Sequence, residues 1–160
     1  MRTVAVLSLK GGVGKTSVVL GLAGAAMIRG VRTLVVDLDP QGNATSALEP
    51  ADAEATLAEV LADPSVSTVA KAISPSSWDH NVDVLVGSED VEVHNRPDPD
   101  ARRLGRLARA LTAVDRLAED SRRYRLVLLD CPPSLGQLTR SALVAADRAL
   151  LVTEPTLFSV

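Results

Sequence analysis

The sequence predicts an α/β protein built on a parallel β-sheet with helices on both faces, and three observations carry that expectation. Short continuous apolar runs end at glycine turns or carboxylates, as strands buried on both faces do. These runs alternate with segments of helical period. Hydrophobic residues make up 46% of the chain but aromatics only 2%, so the core must be assembled from Leu, Val, Ile and Ala, which suits a helix-covered sheet better than a sandwich.

Thr3 to Leu9 is the first apolar run and stops at a Gly-rich turn. From Thr16 to about Ile28 the residues are small or aliphatic almost all round, the pattern of a helix buried against a sheet, with Gly30 as its stop signal. Thr33 to Asp39 is the second strand, which completes a βαβ unit within about forty residues. Residues 53–62 and 66–73 read as short helices and Ser74 to Ser77 as a surface loop. Asn81 to Gly87 reads as a third strand. A Pro- and Asp-containing loop from Arg96 to Asp100 precedes a helix with Leu104, Leu107, Ala108, Leu111, Val114 and Leu117 in helical period. Tyr124 to Asp130 is a hydrophobic strand ending in a carboxylate, followed by the turn CPPS and a helix from about Leu135 to Ala146. Arg148 to Glu154 is the fifth strand expected.

At 160 residues the chain is long enough for one packed domain and too short for two comfortable ones, so residues 1–160 read as a single domain. A net charge of -3 provides no global positive field, and any nucleic-acid contact must come from a local patch. A lone cysteine, Cys131, excludes an intrachain disulfide and a multi-cysteine cluster, which points to a reducing cytoplasm. The N-terminus starts directly as a strand, so no signal peptide is expected, and no apolar run approaches a membrane span.

The segment from Lys10 to Ser17, KGGVGKTS, joins the first strand to the first helix. In such a loop consecutive backbone N–H groups point inward and the helix N-terminus adds positive potential, so it can cradle a triphosphate. Gly11, Gly12 and Gly14 allow close approach around Val13, Lys15 supplies a point charge to the β- and γ-phosphates, and the Thr16 hydroxyl can ligate Mg²⁺. The general pattern GxxxxGK[ST] asks for glycine where this chain has Leu9. Three carboxylates end strands on the side where ligands bind in parallel sheets: Asp37 and Asp39 in VVDLDPQGNATS and Asp130 in LVLLDCPPS. A metal–nucleotide complex needs acids to hold metal-bound water and to position attacking water. The alternative is that these acids cap loops ahead of Pro40 and Pro132.

A loop with a second lysine beside its first glycine is the deviant Walker A motif, and with DLDPQGNATS, LLDCPPSLG and LTRSALVAADRALLVTEP it resembles the ParA/Soj family, related to MinD, over nearly the whole chain. The resemblance implies a P-loop NTPase-like fold and a slow, partner-stimulated ATPase with ATP and Mg²⁺ as cofactors. It implies that Lys10 reaches across a dimer interface to the partner's nucleotide, although an ordinary surface lysine is the alternative. By the same resemblance Asp130 is the Walker B aspartate with a water-mediated Mg²⁺ contact and Asp39 orients the attacking water. Asp37 is a supporting neighbour and a candidate metal-site residue with Thr16 and Asp130. The phosphate site comprises Lys10, Gly11, Gly12, Val13, Gly14, Lys15, Thr16 and Ser17.

The implied function is a dimerisation switch for chromosome or plasmid partition, with an ATP-dependent homodimer, nonspecific DNA binding, a ParB-like stimulating partner and a cytoplasmic, nucleoid-associated location. Full family members continue well beyond Val160. The chain is therefore expected to be the N-terminal portion of the fold, truncated before the adenine pocket, the last strands and the basic DNA-contacting residues. Two alternatives are a MinD-like positioning adaptor and an ATP-dependent biosynthetic ligase of the dethiobiotin or cobyrinate type. Cluster cysteines for an iron–sulfur reductase and a tyrosine-rich tail for a tyrosine kinase are lacking.

Of the remaining polar residues, Cys131 is expected to pack, and His80 and His94 have no second ligand at metal spacing. Trp78 lies on a loop. Arg102, Arg106 and Arg109 share one helical face and Arg122, Arg123 and Arg125 cluster before a strand. Either group could touch phosphate backbone or simply face solvent.

Overall fold

The computed structural model describes residues 1–97, 100–117 and 123–155. Among the described residues six strands form one sheet in the order β3-β4-β2-β5-β1-β6. They are β1 (Arg2–Leu7), β2 (Thr33–Asp37), β3 (Ile73–Pro75), β4 (Val82–Leu85), β5 (Leu126–Asp130) and β6 (Arg148–Leu151). All neighbours run parallel except the β3–β4 pair at one edge. The helices are α1 (Lys15–Ile28), α2 (Asn43–Leu48), α3 (Leu57–Ala62), α4 (Val66–Ala72), α5 (Arg106–Leu117) and α6 (Gln137–Ala145), with 3₁₀ turns at Glu89–His94 and Ala101–Arg103.

The period of two along each central strand divides the core. Ala5, Leu7, Leu34, Val36, Val127 and Leu129 point to the face covered by α3, α4, α5 and α6, where they meet Leu57, Leu61, Val69, Leu107, Leu111, Val114 and Leu138. Val6, Val35, Leu128, Val82 and Val84 point to the other face, against Val19 and Ala23 of α1 and Ala44 and Leu48 of α2. Helices therefore lie on both faces, which is why the central strands carry no polar alternation.

The local signals explain where helices start and stop. Thr56 and Glu59 form a reciprocal capping box at the start of α3, with the Thr56 N–H donating to Glu59 at 2.7 Å. Gly30, at φ 63°, ends α1: its N–H donates to the Met27 carbonyl and that of Val31 to the Ala26 carbonyl. This paired closure needs a left-handed residue at that point.

Several elements differ from the sequence reading. The helix α1 buries one stripe, Lys15, Val19, Ala23 and Ala26, while Ile28 is 82% exposed. A single helix layer has an outer face, whatever residues stand on it. Residues 73–75, expected to be a helix end and a loop, pair antiparallel with β4, and an edge position tolerates Pro75. The helix α2 was not anticipated. Leu104 precedes α5 and Leu117 at its end is exposed. The loop expected at Arg96–Asp100 includes Asp98 and Pro99, which lie outside the described residues. Arg148–Leu151 is a strand, but among the described residues it is an edge strand, paired with β1 and with all four residues exposed.

At the end of the sheet opposite the strand carboxyl termini, Asp83 of β4 is buried and receives hydrogen bonds from Arg32 Nη2 at 2.6 Å and from the Tyr124 hydroxyl. The Arg32 guanidinium also lies 5.1 Å from the Tyr124 ring centroid. Burial, then Asp83, pushes the Tyr124 hydroxyl far above its usual range, so it stays a donor. The cluster links the starts of β2 and β5 to β4. Asp83→Ala leaves a partly buried guanidinium and a buried hydroxyl without their acceptor, and should cost about 2–3 kcal/mol in urea unfolding. A loss below about 0.5 kcal/mol would mean that solvent replaces the carboxylate freely.

Candidate functional site

The site lies at the carboxyl ends of β1, β2 and β5. Register does the first part of the work. Asp37 and Asp130 are direct neighbours across the β2–β5 pair, and Asp130 also sits beside Val6 of β1. The loop leaving β1 therefore passes directly over two carboxylates.

That loop takes its shape from two left-handed glycines, Gly12 at φ 80° and Gly14 at φ 90°, a conformation strained for any other residue. Ser8 Oγ donates to the Lys10 carbonyl at 2.7 Å and closes the first bend. Gly14 caps α1 with no side chain at all, so the helix begins with its N–H groups directed outward. Gly11 and Gly12 are exposed, Val13 and Gly14 half-buried, and Gly11 stands against Pro133 of the turn after β5. Loop amides, a helix N-terminus and a concave backbone are together suited to a phosphate chain.

The first turn of α1 supplies two functional side chains. Lys15 is buried at the loop, and its charge acts on both Asp130 and Cys131. Thr16 Oγ1 donates to Asp130 Oδ2 at 2.7 Å. The other Asp130 oxygen, Oδ1, is buried with no hydrogen-bond partner. Ser17 is exposed on the far side of this turn. Lys10 points away from the loop, with Nζ 2.7 Å from Glu154 Oε2 just beyond β6.

The acid that ends β2 and the one in the turn after it make different contacts. Asp37 is fully buried, with Oδ1 accepting from the Asp39 N–H at 3.2 Å and Oδ2 from the Thr45 N–H at 2.8 Å. It folds the DLDPQGNAT turn onto the sheet, and Thr45 in turn accepts from the Gly87 N–H at 3.0 Å. Asp39 is buried in the same turn and accepts from the Gln41 N–H at 3.1 Å. Asp37, Asp39, Asp130, Lys15 and Thr16 thus converge, whereas Lys10 and Ser17 face outward. Thr45 and Gly87 were missed as site-building residues. NATS was legible as a string, but nothing local says that Thr45 meets the end of another strand.

Burial pushes the Asp130 carboxyl up to about 7, the Asp37 and Asp39 charges push the same way, and the Thr16 hydroxyl and Lys15 oppose them. Burial likewise raises Asp37 despite its hydrogen bonds. Three carboxylates facing one lysine, with an orphaned Oδ1 among them, suit a bound cation. Among the described residues no group of three ligating side chains could hold a metal alone. Thr16 and Asp130 could share one with oxygens of a phosphate ligand.

The other singled-out residues take structural roles. Cys131 is buried and its thiol is pushed up to about 12, chiefly by burial. Trp78 Nε1 donates to the Ala47 carbonyl and its ring packs by Gly24. His80 is exposed beside Asp79. Arg102 lies in a 3₁₀ turn, paired with Asp100, and does not share a helical face with Arg106 and Arg109 of α5. Arg123 pairs with Asp115, and Arg122 lies outside the described residues.

Two variants test this geometry. A carboxyl whose pKa is higher in the folded than in the unfolded chain favours folding while protonated, so that contribution is lost as pH rises through about 7. Without ligand, Asp130→Asn should exceed the parent in stability by on the order of 2 kcal/mol at about pH 8, with the gap closing toward pH 4. Equal urea midpoints at the higher pH would contradict the burial argument. At Gly87 an added Cβ would lie 2.8 Å from the Asp37 carbonyl oxygen. Gly87→Ala should therefore cost about 1–3 kcal/mol in thermal unfolding, and an unchanged Tm would mean the β4 end can retreat.

Comparison with known proteins identifies relatives of the chain and of its fold. The chain matches the AAA domain family over residues 1–160. It is 37% identical over 158 residues to the sporulation initiation inhibitor protein Soj of Bacillus subtilis, covering 94% of this chain and 57% of that protein. It is 34% identical over 165 residues to the chromosome partitioning protein ParA of Caulobacter vibrioides, covering 100% of this chain and 58% of that protein. Among solved structures it aligns with cobyrinic acid a,c-diamide synthase from Mycobacterium smegmatis with bound ATP analog and magnesium, at a TM-score of 0.77 and 33% identity, covering 95% of this chain and 59% of that one. The chain thus spans less than two thirds of each of these relatives. The match over the whole chain, the Soj and ParA likeness and the two-lysine loop point to one assignment: the chain belongs to the ParA/Soj family.

Proposed function

We propose that this chain is the phosphate-binding portion of a partition-type ATPase, a single P-loop domain that binds ATP with Mg²⁺ and whose nucleotide state governs self-association. The observation that carries the reading is the Thr16–Asp130 hydrogen bond beneath the glycine cradle, next to an unpartnered Asp130 oxygen and the buried Lys15. The donor set fits the ligand: loop amides and Lys15 for phosphate, a hydroxyl and a carboxylate for a hard cation. Mg²⁺ supplies charge neutralisation to the phosphates when bound.

Lys15 and the amides of Gly11, Gly12, Val13 and Gly14 hold the phosphates, with the Ser17 end of the loop completing the first turn of α1. Thr16 ligates the metal and Asp130 holds it through water. Asp39, in the turn after β2, orients the attacking water. Asp37 has both oxygens engaged by backbone N–H groups, which favours a supporting role over metal ligation. Lys10 serves a second copy of the chain across a nucleotide-dependent homodimer and must first leave Glu154. In the longer protein the dimer binds DNA nonspecifically at the nucleoid, and slow hydrolysis stimulated by a ParB-like partner releases it. No described helix is long and apolar enough to cross a membrane.

A second reading, an ATP-dependent biosynthetic ligase, is favoured by the likeness to a cobyrinic acid a,c-diamide synthase. The two readings separate on turnover: partition activity depends on DNA and a partner protein, whereas ligase activity depends on cobyrinic acid and an amide donor.

Lys15→Ala should weaken binding of a fluorescent ATP analogue at least about tenfold. In the full-length gene product, Lys10→Ala should leave that affinity within about threefold while abolishing ATP-dependent dimerisation in analytical ultracentrifugation. A Lys10→Ala protein that still dimerised with ATP and hydrolysed it normally would remove the trans role. Turnover of the 160-residue chain should be compared with that of the longer protein, each with and without DNA and partner peptide. Loss of all ATP-dependent assembly in the longer parent protein would sink the switch.

A further inference from the structure

The helix α2 follows the Asp39 turn without a break and cannot hold itself in place. It has six residues, fewer than two turns, which is too short for its own hydrogen bonds to secure it. Its start is fixed to the end of β2, because the Thr45 N–H donates to Asp37 Oδ2 at 2.8 Å and the Gly42 N–H donates to the Asp39 carbonyl at 2.9 Å. Its far end is received by the connection between β3 and β4. The Leu48 carbonyl accepts from Ser76 Oγ at 2.8 Å and from the Ser77 N–H at 3.1 Å, and the Ala47 carbonyl accepts from Trp78 Nε1 at 2.9 Å.

Trp78 also reaches α1, where a Cβ added to Gly24 would lie 3.9 Å from its Cζ3. One side chain thus touches both the helix that begins at the glycine cradle and the helix that begins at the acid turn. We propose that Trp78 is a positioning residue for ATP hydrolysis: it braces α2 against α1 so that the turn bearing Asp39 keeps its place beside the phosphate loop, a role that rests on Asp39 orienting the attacking water.

The backbone at the end of α2 carries the mark of this brace. Glu49 has φ 43° and is the one non-glycine residue with positive φ among those described. Such a conformation is strained and persists where its surroundings over-determine it. Here the surroundings are the same segment, since Ser77 Oγ also donates to Glu49 Oε2 at 3.3 Å. The near side of the acid turn has its own anchor, the Asp39 N–H donating to Asp37 Oδ1 at 3.2 Å, while its far side passes directly into α2. Asp39 Oδ1 accepts from the Gln41 N–H within the turn, so a shift of α2 is carried to the carboxylate. A displacement of about 1 Å in a group that orients a reactant can cost on the order of a hundredfold in rate, so a second anchor has a kinetic consequence.

Hydrogen exchange and ATP hydrolysis by the full-length gene product test the brace in Trp78→Ala and Trp78→Phe. Trp78 is 39% exposed, so neither change opens the core. In Trp78→Ala, amides of residues 39–49 should exchange at least about tenfold faster while those of β5 keep the parent rates. Affinity for a fluorescent ATP analogue should stay within about threefold, and hydrolysis at saturating ATP should fall at least about tenfold. Trp78→Phe keeps an aromatic ring beside α1 and should hydrolyse ATP at least about threefold faster than Trp78→Ala. Unchanged exchange in Trp78→Ala, or a Trp78→Phe protein no faster than Trp78→Ala, would overturn the brace. Unchanged hydrolysis, or hydrolysis lost in step with analogue affinity, would overturn the positioning role. A parent protein that hydrolyses no ATP would defeat the ATPase reading and the hydrolytic role with it, whereas the exchange rates report on the brace alone.

Discussion

The structure is organised around a carboxylate that ends a central strand with one oxygen unsatisfied. Asp130 is buried beside Asp37, Asp39 and Lys15, hydrogen-bonded once by Thr16 and left bare on Oδ1. An uncompensated buried carboxylate is costly, and a fold optimised for stability alone would replace it. Its retention makes sense where a ligand brings the missing positive charge. Because Thr16 lies one residue beyond Lys15, the same hydrogen bond anchors the first turn of α1 over β5 and holds the glycine loop at the ends of three strands.

The surrounding residues maintain that placement. Asp37 pairs in register with Asp130, yet its oxygens are consumed in folding the turn that carries Asp39. Thr45 passes the constraint to Gly87, whose lack of a side chain lets the end of β4 approach the Asp37 backbone. At the opposite end of the sheet, Asp83, Arg32 and Tyr124 tie β4 to the starts of β2 and β5. Polar clusters therefore stand at both ends of an apolar sheet. In one the buried carboxylate is engaged by Arg32 and Tyr124, and in the other it keeps an open oxygen.

Lys10 shows the difference between a residue's identity and its position. In the loop motif it is the distinguishing lysine, while in the folded chain it makes an exposed ion pair with Glu154. Such pairs are worth little in water, so this contact presents only a small barrier to redirecting the lysine. The edge strand β6, exposed along its length, is a further surface with no counterpart in the motifs.

By itself the sequence determined the fold class, the strands around the loop, the glycine turn between β1 and α1 and the acids at the ends of β2 and β5, because periodicity, glycines and carboxylates after apolar runs are local signals. It also carried the family resemblance, whose strings lie within contiguous stretches. The short antiparallel strand at Ile73–Pro75 escaped because it exists only by pairing with β4, and α2 because six residues leave little periodicity. Tertiary structure alone decided that Asp37 faces backbone amides rather than open space, that Thr45 and Gly87 support the site, and that Arg102 pairs with Asp100 outside the α5 face. The first two depend on contacts between separate elements, which no local pattern encodes.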